Sequence, residues 1–152
     1  MSYQLPIWVW PTVLMGVCAI AVLRGRDLER LAAASELATW ALSLLVFKSR
    51  SESTQWAVLL IDVSLLVVLA WIALRSPRYW PLFAAGFQLL AVATHLAHAT
   101  DALVSGWAYQ TAALIWNYMT LFAIGYGAIT APRRYAEIDA LGPPAMAGAM
   151  RR

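Results

Sequence analysis

Both histidines of the chain lie three residues apart in the segment 93–101, which reads ATHLAHATD and ends on an aspartate. The preceding segment 79–92, YWPLFAAGFQLLAV, is almost wholly apolar and long enough to lie in a membrane. Ionisable residues inside such a segment are costly, and they mark metal, pigment or proton sites more often than lipid contacts. His95, His98 and Asp101 are therefore the first candidates for a site.

One interpretation of the histidine pair is structural, with both side chains hydrogen-bonded in a packing seam between helices. A second is a metal site, because histidines at positions i and i+3 share a helix face and Asp101 or Asp62 could add a carboxylate. Zinc needs three or four ligands, whereas the motif HxxHxxD spreads its ligands around the helix. The structural interpretation is favoured, and the metal site stays open.

A third interpretation makes His95 or His98 a cofactor ligand. Two histidines of one helix cannot ligate one haem from both faces, so a single axial histidine remains, with Met15 or Met119 opposite. Ala91 lies four positions before His95, and Thr94 lies four positions before His98. These small residues would leave room for a flat pigment, and a quinone is the other ligand of this class.

A fourth interpretation is a proton or ion path through Asp62, His95 and Glu36, the residue types that such paths use inside membranes. Its alternative is a neutral, hydrogen-bonded Asp62 together with a Glu36 that reaches Arg30. An enzyme is not expected, because the sequence holds no HExxH, no GxSxG and no glycine-rich phosphate loop.

Polar residues recur seven positions apart, nearly two helical turns, so each pair occupies one helix face. The predicted helices carry such stripes at Gln55 and Asp62, at Gln88 and His95, and at Gln110 and Asn117, while Glu36, Thr39 and Ser43 share a face of another helix. Stripes of this kind should point away from lipid. We expect an intramembrane polar core made of Glu36, Asp62, Gln88, His95, Gln110 and Asn117. Its central contact should join Asp62 to His95, Gln110 or Asn117.

The composition indicates that the membrane is the solvent for these stripes. The chain is 62% hydrophobic and 12% charged, with a mean hydropathy of +0.66, well above a soluble domain. The net charge of +3 does not indicate nucleic acid, because the arginines sit at the ends of apolar runs and form no basic face. Cys18 is the only cysteine, which excludes an intramolecular disulfide.

Five apolar runs predict an all-α bundle of five transmembrane helices. Their expected bounds are 6–23, 30–47, 55–74, 80–100 and 107–130. The second is the weakest because it contains Glu36. The bundle should occupy residues 1–131, and residues 132–152 should form a cytoplasmic tail with a short interfacial helix at 133–141.

Basic residues predict the orientation. Nine arginines fall on one side of the predicted membrane, namely Arg24, Arg26, Arg30, Arg75, Arg78, Arg133, Arg134, Arg151 and Arg152, against Lys48 and Arg50 on the other. The N-terminus should therefore lie outside and the C-terminus in the cytoplasm. Tryptophans near helix ends predict two interfacial belts, with Trp8, Trp10, Trp56 and Trp107 outside and Trp71 and Trp80 inside.

The segments SPRYWPLFAAGFQLLAVATHLAHATD (76–101) and WAYQTAALIWNYM (107–119) resemble small polytopic inner-membrane proteins of Gram-negative bacteria. The resemblance implies a small multi-helix fold in the bacterial inner membrane, and it implies no activity or site residue. The small size of the chain, with no predicted extramembrane domain and no catalytic motif, leads us to expect a non-enzymatic subunit. Its partners should be the lipid bilayer and either further copies of the chain or another membrane protein.

Overall fold

The computed structural model describes residues 8–46, 56–100 and 105–131. Across these ranges the chain forms five α-helices and no strand. They are α1 (Val9–Arg24), α2 (Asp27–Val46), α3 (Trp56–Arg75), α4 (Trp80–Thr100) and α5 (Gly106–Ile129). The predicted all-α class is therefore confirmed. The predictions that concern Gln55, Asp101 and the tail 132–152 lie outside the described residues.

Three of these helices are long and apolar enough to cross a membrane, namely α3, α4 and α5. Helix α1 is apolar but only 16 residues long. Helix α2 has 20 residues, yet Asp27, Glu29, Arg30 and Glu36 lower its hydropathy. The structure thus supports a membrane protein with at least three candidate spans.

The ends of the helices follow local sequence signals. The side chain of Ser105 caps α5 by accepting a hydrogen bond from the backbone N–H of Ala108 at 3.2 Å. Helices α1 and α2 are joined by two residues only, and the joint requires a close approach at Gly25. A Cβ atom there would lie 2.5 Å from the carbonyl oxygen of Ala21 and 2.9 Å from Cβ of Glu29. Glycine is therefore the residue that allows this tight reversal.

Helix α4 packs between α3 and α5, α2 packs on α3 and α5, and α1 packs against α2 and α5. The apolar core consists largely of small and aliphatic residues, among them Ala21, Ala32, Ala33, Leu65, Leu69, Ile72, Ala84, Ala123, Ile124 and Ala128. Small residues let helix backbones approach closely, which drives association where lipid removes the hydrophobic force between helices. Ala84 and Ala91 of α4 are buried, together with Gln88 and His95 on the same helix.

Trp80 departs from the predicted interfacial belt. Its side chain is only 3% exposed, and its ring packs against Gly127 of α5. A Cβ at Gly127 would lie 2.6 Å from the ring, so only glycine leaves room for it. Position near a helix end predicted an interfacial tryptophan, but the ring points inward because a glycine faces it and a buried carboxylate accepts its N–H.

Candidate functional site

Asp62 and His95 form the centre of the polar core. Nε2 of His95 on α4 lies 2.8 Å from Oδ2 of Asp62 on α3. Asp62 is 8% exposed and His95 is 4% exposed, so the pair is enclosed by the bundle. Helices α3 and α4 run in opposite directions. Asp62 lies six residues from the start of α3 and His95 lies five residues from the end of α4, so both reach about the same depth. The expected contact between the two stripes is therefore present.

Tyr109 of α5 extends this pair on the far side of the imidazole. Its hydroxyl lies 2.7 Å from Nδ1 of His95. The rings of His98 and Tyr109 stack with centroids 4.4 Å apart and planes 12° apart. Side chains from three helices therefore make one continuous polar chain that runs from Asp62 through His95 to Tyr109, with His98 covering the phenol.

Gln88 also forms a hydrogen bond with Asp62. It lies fully buried on α4, two turns from His95, and its Nε2 donates to the backbone carbonyl of Asp62 at 3.2 Å, with the Oδ1 carboxylate oxygen at 3.5 Å. The other atom of the same amide, Oε1, accepts no hydrogen bond from any described residue. Buried amide oxygens almost always have a partner, so this atom is a point where the core can take up a donor.

Glu36 brings a second carboxyl group towards this centre from α2. Its side chain is 4% exposed, and Oε2 has no hydrogen-bond partner within the described ranges. Helix α2, which carries Glu36, packs on α3, which carries Asp62. A buried carboxylate oxygen without a donor is expensive, so Oε2 of Glu36 needs a proton or a donor close by.

Two predicted members of the core lie elsewhere. Gln110 is exposed on α5 and Asn117 is half-buried, so the expected inward stripe of this helix is wrong for Gln110. Each residue of a helix is rotated by about 100° from the previous one, and Tyr109 occupies the inward position instead. Tyr109, Thr120 and Gly127 share that face. The eleven-residue spacing between Tyr109 and the buried Thr120 is the signal that could have identified it.

A second polar cluster, which sequence reasoning missed, closes the opposite end of the bundle. Arg78, in the connection between α3 and α4, forms an ion pair with the buried carboxylate of Glu29 at 2.5 Å. It also donates to the carbonyl oxygen of Gly127 at 2.9 Å and to the hydroxyl of Thr130. The indole N–H of Trp80 donates to the same Oε1 of Glu29 at 3.2 Å. This clamp ties α2, α4 and α5 together.

One interpretation of the sequence had Glu36 of α2 reaching Arg30. In the structure the acid of α2 that pairs with an arginine is Glu29, and the arginine is Arg78. Glu36 does not reach Arg30, because the Arg30 guanidinium donates to the carbonyl oxygen of Val22 at 3.1 Å. Glu29 also caps the start of its own helix by accepting from the backbone N–H of Arg26 at 3.0 Å. A carboxylate in the first turn of a helix indicates such a cap from the sequence alone. The ion pair with Arg78 is not visible in the sequence, because the two residues are 49 positions apart.

The residues around His95 can be tested for a metal or haem. Both ring nitrogens of His95 already have partners, so an iron or zinc ion would have to displace Asp62 or Tyr109. The described ranges hold no group of three or more His, Cys, Asp or Glu side chains that could bind a metal ion. Met15 and Met119, the expected opposite ligands of a haem, are exposed on the bundle surface. The surroundings of His95 therefore do not fit these groups, whereas Nδ1 of His98 is buried and has no hydrogen-bond partner among the described residues.

No family model, curated protein or solved structure matches this chain. The geometry of the polar core therefore carries the argument about function.

Proposed function

We propose that this chain is a non-enzymatic integral membrane protein that transfers protons through its polar core. One observation carries the proposal, namely the continuous chain from Asp62 through His95 to Tyr109. Imidazole is the side chain that accepts a proton on one nitrogen and releases one from the other near neutral pH. A carboxylate on one side and a phenol on the other are the partners such a relay needs.

The proton steps follow from the two contacts of the imidazole. With Nε2 bare and Nδ1 protonated, the ring takes a proton from Asp62 at Nε2 and becomes an imidazolium. It then releases the Nδ1 proton to the oxygen of Tyr109 as the hydroxyl gives its own proton to water, since the contact of Tyr109 with His98 is a ring stack and not a hydrogen bond. The ring returns to its first tautomer by rotation and proton exchange with water, because a return of the two protons along the same contacts would undo the transfer. Asp62 stabilises the charged intermediate, because opposite charges at 2.8 Å compensate each other in a medium of low dielectric constant.

The path continues towards the opposite end of the bundle along α2. Glu36 is buried on α2, which packs on the helix of Asp62, and Glu29 precedes it by seven residues on the same buried face. Seven residues correspond to about 10 Å of helix. This spacing is too long for a direct hydrogen bond, so water must link the two carboxyl groups during transfer.

The setting of this relay is also part of the proposal. We infer five spans, with α1 and α2 crossing the membrane beside the three candidate spans, the N-terminus outside and the C-terminus in the cytoplasm of a bacterium. The protein should work as a subunit of a homo-oligomer or of a larger assembly in the inner membrane. Large apolar side chains exposed on all five helices support this setting, because lipid or neighbouring subunits must cover them.

Proton flux into liposomes tests the function. The purified protein is reconstituted with a pH-sensitive dye inside, and a potassium diffusion potential drives protons inward. We expect flux in the wild type and its loss in His95→Gln, while Gln110→Ala, an exposed polar change on α5, keeps it. Absence of flux in correctly inserted wild-type protein would leave the network a structural tie between helices and refute the proposed transfer.

A further inference from the structure

A groove between the first half of α4 and the second half of α5 lies outside the polar core. It encloses a cavity of about 770 Å³. Its walls are Phe83 and Phe87 of α4 and Met119, Phe122 and Tyr126 of α5. Phe83 is 62% exposed and Phe122 is 68% exposed, so the groove opens on the outer surface of the bundle and away from His95. We call it the α4–α5 groove.

The α4–α5 groove has one polar end and one apolar end. Arg78 and Thr130 lie at the end where α5 finishes, and Phe87 and Met119 lie at the other. From Thr130 to Met119 the helix rises by about 16 Å, close to half of a hydrocarbon core of about 30 Å. The groove therefore runs through one leaflet, with its polar end at the membrane surface. Pockets with apolar walls and a few convergent polar groups are the usual ligand sites of proteins.

The charges at the polar end favour an anion. Five arginines of the described chain gather at this end of the bundle, namely Arg24, Arg26, Arg30, Arg75 and Arg78, against only Asp27 and Glu29. The guanidinium of Arg78 has five N–H groups. It donates three of them, to Glu29, Gly127 and Thr130. Arg78 can therefore keep its ion pair and still donate to a phosphate oxygen, as guanidinium groups do at lipid head groups.

We propose that the α4–α5 groove binds one acyl chain of an anionic phospholipid, whose phosphate lies at Arg78 and Thr130. The length of the groove selects a lipid of the leaflet at that end, and the arginines select an anionic head group over a zwitterionic one. None of the residues that line the groove belongs to the polar core around Asp62 and His95, and Arg78 contacts the proposed proton path only through Glu29.

Native mass spectrometry of the full chain after mild detergent extraction tests the site. The delipidated protein receives phosphatidylglycerol or phosphatidylcholine with the same acyl chains, or inorganic phosphate alone. We expect one phosphatidylglycerol to remain bound at activation energies that remove phosphatidylcholine, and no effect of inorganic phosphate. Equal retention of the two lipids would overturn the charge argument, and binding of free phosphate at the same site would overturn the lipid as the ligand.

Variants of the walls locate the lipid in the groove. Phe83→Ala with Phe122→Ala shortens two exposed side chains and should weaken phosphatidylglycerol retention roughly tenfold without affecting folding. The matched control is Leu60→Ala with Leu89→Ala, two exposed apolar residues that do not line the groove. An equal loss in both double variants would overturn the location. A covalent dimer formed in lipid through cysteines placed at Phe83 and Phe122 would show a second copy in the groove and overturn the proposal.

Discussion

Nε2 of His95 lies 2.8 Å from Oδ2 of Asp62, although the two residues are 33 positions apart and belong to different helices. The contact occupies a level of the bundle at which apolar side chains otherwise dominate. A carboxylate there needs a donor, and an imidazole needs an acceptor on each nitrogen that carries a proton. Each residue therefore explains why the other can be buried. The proposed proton transfer uses the same pairing.

Substitutions at Asp62 should separate hydrogen bonding from charge. Asp62→Leu leaves Nε2 of His95 without its hydrogen-bond partner and removes one oxygen from Gln88. It should lower the free energy of unfolding by about 1–3 kcal/mol. Asp62→Asn keeps an oxygen at the same place and should change it by less than about 1 kcal/mol. Thermal unfolding in detergent measures both, and equal loss in the two variants would show that the charge holds the fold.

Tyr109→Phe should stop proton transfer while preserving the bundle. The variant loses the hydroxyl that lies 2.7 Å from Nδ1 of His95 and keeps the ring that stacks on His98. Liposome flux should fall to the level of empty vesicles, and the unfolding temperature should change by a few degrees at most. Tyr126→Phe, an exposed tyrosine on the same helix, serves as the control. Undiminished flux in Tyr109→Phe would place the exit of the path elsewhere.

Glu36→Gln and Glu36→Leu should behave differently from the Asp62 variants. No described residue donates to Oε2 of Glu36, so neither change removes a hydrogen bond from that atom. Replacement by leucine of a buried acid whose Oε2 has no donor among the described residues should be neutral or should stabilise by about 1–2 kcal/mol. Proton flux should nevertheless fall in both variants, because neither side chain can carry a proton. Strong destabilisation by Glu36→Leu would show that Glu36 has a partner that ties helices together.

Two glycines of α5 provide a matched test of the packing at the clamp. A Cβ at Gly127 would lie 2.6 Å from the Trp80 ring, whereas one at Gly125 would meet Val17 at an ordinary 3.5 Å. Gly127→Ala should destabilise by about 1–3 kcal/mol through overpacking, while Gly125→Ala should have little effect. Unfolding in detergent compares the two. Similar stabilities would mean that Trp80 can leave its buried position at little cost.

The proposed orientation can be tested with cysteines in a Cys18→Ser background, because Cys18 is the only cysteine of the chain. Cysteines at Ser53 and Ala149 should label from opposite sides of the inner membrane, Ser53 from outside and Ala149 from the cytoplasm. The reagent is a membrane-impermeant maleimide, applied to intact cells and to inverted vesicles. Labelling of both positions from one side would contradict five spans.

Some members of the polar core could be predicted from the sequence because hydropathy makes them conspicuous. Asp62, Gln88 and His95 are isolated polar residues in apolar runs, and the seven-residue spacing placed Gln88 and His95 on one face. Tyr109 was missed because tyrosine is common at membrane interfaces, and its eleven-residue spacing to Thr120 identifies it only once Thr120 is known to be buried. The sequence did not predict the Glu29–Arg78 pair, because both residues lie in the charged segments that connect the apolar runs, where charged side chains are typical.

The amino-acid sequence by itself determined that the chain is helical and apolar enough for a membrane, since composition and run length decide both. It also determined that Asp62 and His95 must avoid lipid, because exposure of either side chain is costly. Only the tertiary structure decided which residues meet. The rotation of each helix about its axis depends on how small residues such as Ala84, Ala91 and Gly127 fit against neighbours. A rotation of α5 by about 100° exchanges Tyr109 for Gln110, and the correct rotation depends on the neighbouring helices.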